Sequence, residues 1–252
     1  MTWLAALGIG LPRDVSIEGG RIDSVLHQAI LATSILFAVL FAVLLYAVLA
    51  QRRTASKETG SSPRASWRTL FFALGVFGLI DGTLFVRGLR DVNDVFWDFD
   101  AVDANPDAVR IEVNAHQWAW EARYPGPDGK FGTADDLLST NEVVVPSGAP
   151  VLIELASPDV IHSFFVPNLR VKRDAVPGRI TALTFTPNQV GTFEIACAQL
   201  CGVNHYKMRG ELQVVEPVAY AAWLARGSDL AARAFDPEDP AADWAWDWKA
   251  RR

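Results

Sequence analysis

Cysteine is scarce in this sequence, with only Cys197 and Cys201 among 252 residues. A framework of several disulfides is therefore excluded, and if both thiols bind a metal the cysteines give no information about the redox compartment. No Cys-x-x-Cys-His motif is present, which excludes a covalently attached c-type haem. A single disulfide between the two cysteines is the alternative to a metal site, because a separation of four residues on a loop permits one.

Other common signatures are also missing. The sequence shows no internal repeat and no glycine-rich phosphate loop after a predicted strand, and we expect no nucleic-acid partner. The short apolar patch at residues 3–11 has no basic residues before it, so it is a weak match to a signal peptide. We therefore expect residues 1–24 to form an uncleaved extracytoplasmic segment.

Charge is absent from a long apolar run. Residues 25–50 include no Asp, Glu, Lys or Arg, and about 20 such residues are enough to cross a bilayer as a helix. A second apolar run, residues 69–89, is interrupted by Asp81 and Arg87. Together these runs predict a transmembrane helical hairpin over residues 25–90, and a buried helix of a soluble protein is the alternative for the first run.

The loop between the two runs, residues 51–68, holds several Lys and Arg residues against the single acidic residue Glu58. Short loops with this bias lie in the cytoplasm, which places residues 1–24 and everything after residue 90 on the outer side of the membrane. Asp81 is expected to face a neighbouring subunit or to lie near the outer interface, because ionisable side chains avoid lipid. A role in a proton path is the alternative for Asp81.

After an acidic linker at residues 91–107, the sequence changes to short β-rich runs broken by Gly and Pro. This spacing predicts an antiparallel sandwich or barrel over residues 91–216, in which residues 127–136 form a solvated acidic hairpin loop. Residues 217–252 are predicted to form an amphipathic helix at 218–226 and then an acidic tail whose tryptophans suit a partner subunit or the membrane interface. The predicted strands are 109–114, 117–123, 142–145, 151–156, 163–166, 179–186, 192–196 and 211–215.

The stretch from Cys197 to Met208 gathers two thiols, an imidazole and a thioether within twelve residues. Two cysteines with a methionine suit copper, whereas zinc prefers cysteine, histidine or carboxylate and hard cations prefer oxygen. A second cysteine does not fit a single-copper blue site, but two thiolates can bridge two copper ions. Each ion then needs a terminal histidine: His205 supplies one, and His162 is the best candidate for the other.

The sequence resembles subunit II of the haem-copper cytochrome c oxidases, whose cupredoxin domain carries the binuclear CuA centre. The resemblance covers roughly residues 21–224. It implies a two-helix membrane hairpin followed by an all-β, cupredoxin-like Greek-key sandwich or barrel. It also implies that the metal ligands are His162, Cys197, the backbone carbonyl of Gln199, Cys201, His205 and Met208. Besides residues 197–208, here called the copper loop, the matching motifs are His116-Gln-Trp-Ala-Trp120, Asp159-Val-Ile-His162-Ser, Val166-Pro-Asn-Leu169 and Lys172-Arg-Asp174-Ala-Val-Pro-Gly-Arg179.

The resemblance further implies how the protein works. Cytochrome c would reduce the copper pair, Trp118 would be the residue where electrons arrive, and haem in subunit I would receive them for the reduction of dioxygen to water with proton pumping. The expected partners are therefore cytochrome c, subunit I and subunit III, in the inner (plasma) membrane with the CuA domain on the periplasmic side.

The sequence departs from the family at three places. Gln199 stands where many members have a Glu that helps to bind magnesium at the subunit interface, and an amide oxygen is a weaker ligand for that ion, so magnesium binding stays open. The Glu that precedes the second helix in many members is missing near Trp67, and Ala119 replaces an aromatic neighbour of Trp118. A CuA subunit of a nitric oxide reductase and a membrane-tethered copper carrier are the alternative functions.

Overall fold

The computed structural model describes residues 10–51, 67–92, 99–236 and 238 of the chain. They form two compact units, one within residues 21–94 and the other made of residues up to 20 together with those from 95 onward, here called the β-domain. The expected cytoplasmic loop lies largely outside the described residues, and so do the tryptophans of the C-terminal tail.

Two long helices account for the first unit, α1 (Gly19–Gln51) and α2 (Trp67–Asp91). Large apolar side chains are exposed along both, and by length and composition both could cross a membrane. Arg21 pairs with Asp91 at 2.7 Å, and Arg87 donates a hydrogen bond to Gln28 at 2.7 Å. The two predicted helices are confirmed, and each extends beyond its predicted bounds. Asp81 is exposed on α2.

The β-domain contains ten strands between a short helix, α3 (Phe99–Asp103), and a final helix, α4 (Pro217–Ala234). The strands are β1 (Val109–His116), β2 (Ala119–Tyr124), β3 (Leu137–Thr140), β4 (Glu142–Pro146), β5 (Val151–Ala156), β6 (His162–Val166), β7 (Val171–Ala175), β8 (Thr181–Phe185), β9 (Gly191–Cys197) and β10 (Arg209–Val215).

These strands form two five-stranded sheets, in the orders β3-β2-β1-β5-β8 and β4-β10-β9-β6-β7. The predicted sandwich is therefore confirmed. The expectation that it is purely antiparallel is wrong, because β1 pairs with β5 and β10 pairs with β4 in parallel. Each parallel pair joins strands separated by at least one other element, which allows the crossover connection that parallel pairing needs.

The core lies between the two sheets and follows from alternating apolar residues along the strands. In β1, Ile111, Val113 and Ala115 are buried, and Trp120, Tyr124, Phe164 and Phe185 are the largest fully buried side chains. Glu112 points to the other face of its sheet and is nevertheless buried.

The predicted solvated loop at 127–136 does connect β2 to β3, but it is only partly solvated. Arg123 is buried and binds Asp136, whose side chain is 7% exposed, and the Arg123 Nη1 atom lies 3.8 Å from Glu112. The end of this loop therefore packs against the protein, because burying the arginine requires carboxylate partners.

The segment before α1 belongs to the β-domain. Val15 is fully buried, its N–H donates to the Asn168 carbonyl at 2.9 Å, and its carbonyl accepts from the Asn188 N–H at 2.9 Å. At the other end of the chain, α4 is longer than the predicted helix. Its predicted apolar face is confirmed, because Trp223 and Leu224 pack against the core.

Candidate metal centre

The proposed ligands come from two adjacent strands and one loop. His162 is the first residue of β6, and Cys197 is the last residue of β9. These strands pair with Phe164 opposite Cys197, so the two ligands lie at the same end of the sheet. Residues 198–208 then form a loop between β9 and β10. The Cys197 N–H donates to the Met208 carbonyl at 3.2 Å, which closes this loop at its base.

Side-chain donor atoms converge inside this loop. The Cys201 Sγ lies 3.7 Å from the Cys197 Sγ, 3.5 Å from the His205 Nδ1 and 3.7 Å from the Met208 Sδ. The ligand atoms of His162, Cys197 and Cys201 all lie within 4.8 Å of one another.

The remaining two predicted ligands lie in the same cluster. The Met208 Sδ is 3.2 Å from the His162 Nδ1, and the Gln199 carbonyl accepts a hydrogen bond from the Cys197 thiol at 3.3 Å. The structure therefore brings all six predicted ligands together. Both cysteines are free thiols.

The donor set fits copper chemically. Two thiols, two imidazole nitrogens, a thioether and a carbonyl form a soft ligand set, which favours copper over oxygen-preferring cations. The His162 Nε2 lies 2.9 Å from the Asp159 carboxylate, which as an acceptor holds the proton on Nε2 and leaves Nδ1 available for a metal. His162 and Met208 are buried, so water is kept from part of the site.

The two thiols ionise differently in the metal-free chain. Burial raises the pKa of Cys197, but hydrogen bonds with His162 and with backbone groups of Gln199 and Ser163 outweigh it and lower the pKa to about 6. Burial and the neighbouring Cys197 raise the pKa of Cys201 to about 12. One thiolate therefore forms readily, whereas a second one needs a cation to offset the repulsion between them.

Asp159 is held as a carboxylate. Burial would raise its pKa, but hydrogen bonds from His162 and from the backbone N–H groups of Val160 and Gln117 lower the pKa to about 2. Sequence reasoning did not assign Asp159 or Gln117 a role in the site, although both occur in the motifs that carry the resemblance. Their positions beside the ligands depend on the pairing of strands, which the sequence does not display.

Trp118 lies in the turn between β1 and β2 and is half-buried. It lies against the loop at Gly202, where an added Cβ would be 3.2 Å from the Trp118 Cζ2. The aromatic residues that follow it, Trp120 and Tyr124, are fully buried in the core, so neither can meet a donor at the surface.

Comparison with known proteins shows which proteins this domain resembles. Residues 109–215 match the family model "Cytochrome C oxidase subunit II, periplasmic domain". The chain is 39% identical over 140 residues to the alternative cytochrome c oxidase subunit 2 of Bradyrhizobium diazoefficiens, which covers 47% of this chain and 50% of that protein. It is 34% identical over 169 residues to cytochrome c oxidase subunit 2 of Cereibacter sphaeroides, which covers 54% of this chain and 56% of that protein.

The chain thus spans about half the length of these curated relatives. Among solved structures, it is similar to the periplasmic domain of subunit II of cytochrome oxidase from Bradyrhizobium japonicum, with 28% identity and a TM-score of 0.44 over 49% of this chain and 96% of that one. By the family model that matches them, residues 109–215 are similar to the periplasmic domain of cytochrome c oxidase subunit II, and in this chain they follow two long apolar helices.

Proposed function

We propose that the chain is subunit II of a cytochrome c oxidase. Its β-domain would hold a CuA centre of two copper ions, accept electrons from cytochrome c and pass them to haem in subunit I, where dioxygen is reduced to water with proton pumping. The observation that supports this most directly is the convergence of six soft and carbonyl donors from β6, β9 and a single loop.

Each ligand has a distinct part in this proposal. The Cys197 and Cys201 sulfurs would hold both ions, the Nδ1 atoms of His162 and His205 would each hold one, and the Met208 thioether would be a weaker ligand. The Gln199 carbonyl would be a second weak ligand. When bound, a copper pair of this kind takes up and releases one electron that both ions share. The surrounding chain has to hold the ligands still, since transfer is fast only if little geometry changes.

Several contacts serve that purpose. Asp159 holds the His162 ring through Nε2, the backbone pairing of Cys197 with Met208 closes the loop, and packing around the buried Met208 limits its movement. A ligand set held by strands and a closed loop is more rigid than one on an open loop.

The rest of the proposal concerns the membrane. The basic residues of the connecting loop would place that loop in the cytoplasm and the β-domain on the periplasmic side of the inner membrane. The exposed apolar surfaces of α1 and α2 would then face lipid and the helices of subunits I and III. Magnesium at the interface with subunit I stays a prediction, because it would depend on the amide of Gln199.

The test is copper analysis and electron paramagnetic resonance on the purified full-length chain. We expect two copper ions per chain and a hyperfine pattern from one electron shared by two copper nuclei. Cys201→Ser, which removes one bridging sulfur, is expected to hold at most one copper ion. One copper ion per wild-type chain with a single-nucleus spectrum would overturn the binuclear proposal.

A further inference from the structure

The side chain and backbone of Gln117 both bind groups at the metal centre. Gln117 lies in the turn between β1 and β2, in the sheet that does not contain the ligands. Its side-chain Nε2 donates a hydrogen bond to the Cys201 carbonyl at 2.7 Å, and its backbone N–H donates to the Asp159 Oδ2 at 2.7 Å. One residue thereby reaches two segments that are 42 and 84 positions away in sequence.

Both contacts lead directly to proposed ligands. Asp159 uses its other oxygen, Oδ1, to hold the His162 Nε2 at 2.9 Å. The Cys201 carbonyl belongs to a proposed bridging cysteine itself. Gln117 therefore connects the His162 ring and the Cys201 main chain across the sandwich.

The hydrogen bond from Gln117 holds the middle of the copper loop in place. The Ala198 N–H donates to the Ser163 carbonyl at 3.0 Å and ties the start of the loop to β6. Farther along, Leu200, Val203 and Tyr206 are 76%, 82% and 68% exposed, so their side chains contribute little packing that would hold the loop in place. The bond from Gln117 attaches the loop at Cys201, whose buried side chain lies between the exposed side chains of Leu200 and Val203.

Gly202 leaves the space that this arrangement needs. A Cβ added at Gly202 would lie 2.8 Å from the Gln117 Nε2 and 3.2 Å from the Trp118 Cζ2. Its φ of +125° is also one that side-chain-bearing residues rarely adopt. Any other residue at position 202 would push the Gln117 amide away from the Cys201 carbonyl.

We propose that Gln117 is a positioning residue for the metal centre, which holds the Cys201 main chain directly and the His162 ring through Asp159, and that Gly202 provides the space for its amide. As regards copper, this inference rests on the proposed function. The positioning itself concerns only contacts within the chain, so it can also be tested without metal.

The first experiment measures amide hydrogen exchange of residues 199–205 in the reduced, copper-free full-length chain. Gln117→Leu and Gln117→Glu both remove the donor to Cys201, and the second keeps the size and polarity of the side chain. We expect exchange in the loop to be about fivefold faster in both variants, as for the loss of one hydrogen bond. Gln213→Leu is the matched control, because Gln213 donates to Glu142 on another pair of strands. Loop exchange equal to that of wild type in both Gln117 variants would overturn the inference.

The second experiment uses the copper-loaded chain. Gln117→Glu is expected to shift the absorption spectrum and the redox potential of the centre. It should also release copper to a chelator about fivefold faster than wild type. Its melting temperature should stay close to that of the control variant Gln213→Leu. A role in stability alone would lower the melting temperature without changing the spectrum, and that result would contradict positioning. If the wild-type chain does not take up two copper ions, the proposed function fails, whereas the exchange experiment still decides the inference.

Gly202 is tested by a double-mutant cycle. Gly202→Ala is expected to speed loop exchange strongly, but clearly less in a Gln117→Ala background, because the collision with the amide is then gone. Gly148→Ala is the control for backbone conformation, since Gly148 has a φ of +82° and open space around it. Equal effects of Gly202→Ala in both backgrounds would show that the substitution acts only through the backbone angle at position 202 and not through the Gln117 amide.

Discussion

Met208 is the softest of the proposed ligands. Its thioether can be removed by a substitution that should leave the rest of the metal centre in place. Its sulfur contacts His162 and Cys201 at 3.2 and 3.7 Å, and its side chain is buried. Leucine has nearly the same volume, so Met208→Leu should keep the packing while it removes the thioether. We expect both copper ions to stay bound and the redox potential to shift, which metal analysis and a redox titration would measure. Loss of both ions would show that the thioether is a main ligand.

Because of Tyr124, the stability of the β-domain is expected to fall at alkaline pH. Burial raises the pKa of Tyr124 well above its ordinary value, although the Val144 N–H, which donates to the phenol oxygen at 2.7 Å, lowers this pKa in part. An unfolded tyrosine ionises near pH ~10. Because the folded pKa is higher than the unfolded one, the stabilisation is complete below about pH 10 and is lost as the pH rises above that value.

The variant Tyr124→Phe separates this effect from other alkaline titrations. It leaves the buried Val144 N–H without its acceptor, which should cost about 1–3 kcal/mol of unfolding free energy at neutral pH. Its melting temperature, followed by near-ultraviolet circular dichroism, should fall less steeply than that of wild type between pH ~8 and ~11. Parallel curves for the two proteins would show that Tyr124 does not titrate on unfolding. Burial also raises the pKa of Tyr220, which therefore adds a dependence in the same direction to both curves.

Four of the proposed ligands, Cys197, Cys201, His205 and Met208, could be predicted from sequence because their side chains lie within twelve residues, where spacing and softness are visible. His162 was the best candidate for the second histidine, and the structure places its strand beside Cys197. The Gln199 carbonyl was implied only by the resemblance. Gln117, Asp159 and Gly202 were not recognised. Their contacts arise from the turn of one sheet meeting the loop of the other, which no local pattern encodes.

At the scale of elements, two strands were missed, and both are at sheet edges. β3 is the first strand of one sheet, and β7, with the sequence Val-Lys-Arg-Asp-Ala, is the last strand of the other. The three charged residues of β7 are typical of an edge strand, and β3 has only four residues, Leu-Leu-Ser-Thr, so neither shows a clear apolar alternation. The other two edge strands, β4 and β8, were predicted because they are richer in apolar residues. The parallel pairs were missed because pairing depends on the path of the whole chain.

The helix α4 offers two neighbouring substitutions with opposite expected effects. At Gly227, an added Cβ would lie 2.5 Å from the Leu137 Cδ2, so Gly227→Ala should destabilise the β-domain by about 1 kcal/mol despite its better helix propensity. The Ser228 hydroxyl is buried with no hydrogen-bond partner among the described residues, so Ser228→Ala should stabilise the domain by about 1 kcal/mol. Thermal unfolding of both variants checks the prediction. A gain in stability for Gly227→Ala would mean that Leu137 moves aside freely.

At the scale of the whole molecule, charge bears on how a donor would arrive. From Asp91 onward the chain carries 24 Asp and Glu residues against 14 Lys and Arg residues. An excess of negative charge attracts a basic partner over distances of about a Debye length, roughly 10 Å at 0.1 M salt, and the attraction weakens as salt is added. This balance supports a mobile, basic cytochrome c as the donor, because electrostatic steering suits a transient complex.

Trp118 is where we expect such a donor to deliver its electron, since its half-buried ring lies against Gly202, next to the proposed ligand Cys201. We predict that Trp118→Ala strongly slows electron transfer from cytochrome c at low salt, while copper content and donor affinity stay nearly unchanged. Stopped-flow reduction of the copper-loaded chain measures the rate. Tyr206→Ala is the control, because it removes an exposed aromatic ring from the same loop without touching a proposed ligand atom. Equal slowing in both variants would indicate that general disturbance of the loop, rather than the indole of Trp118, limits transfer.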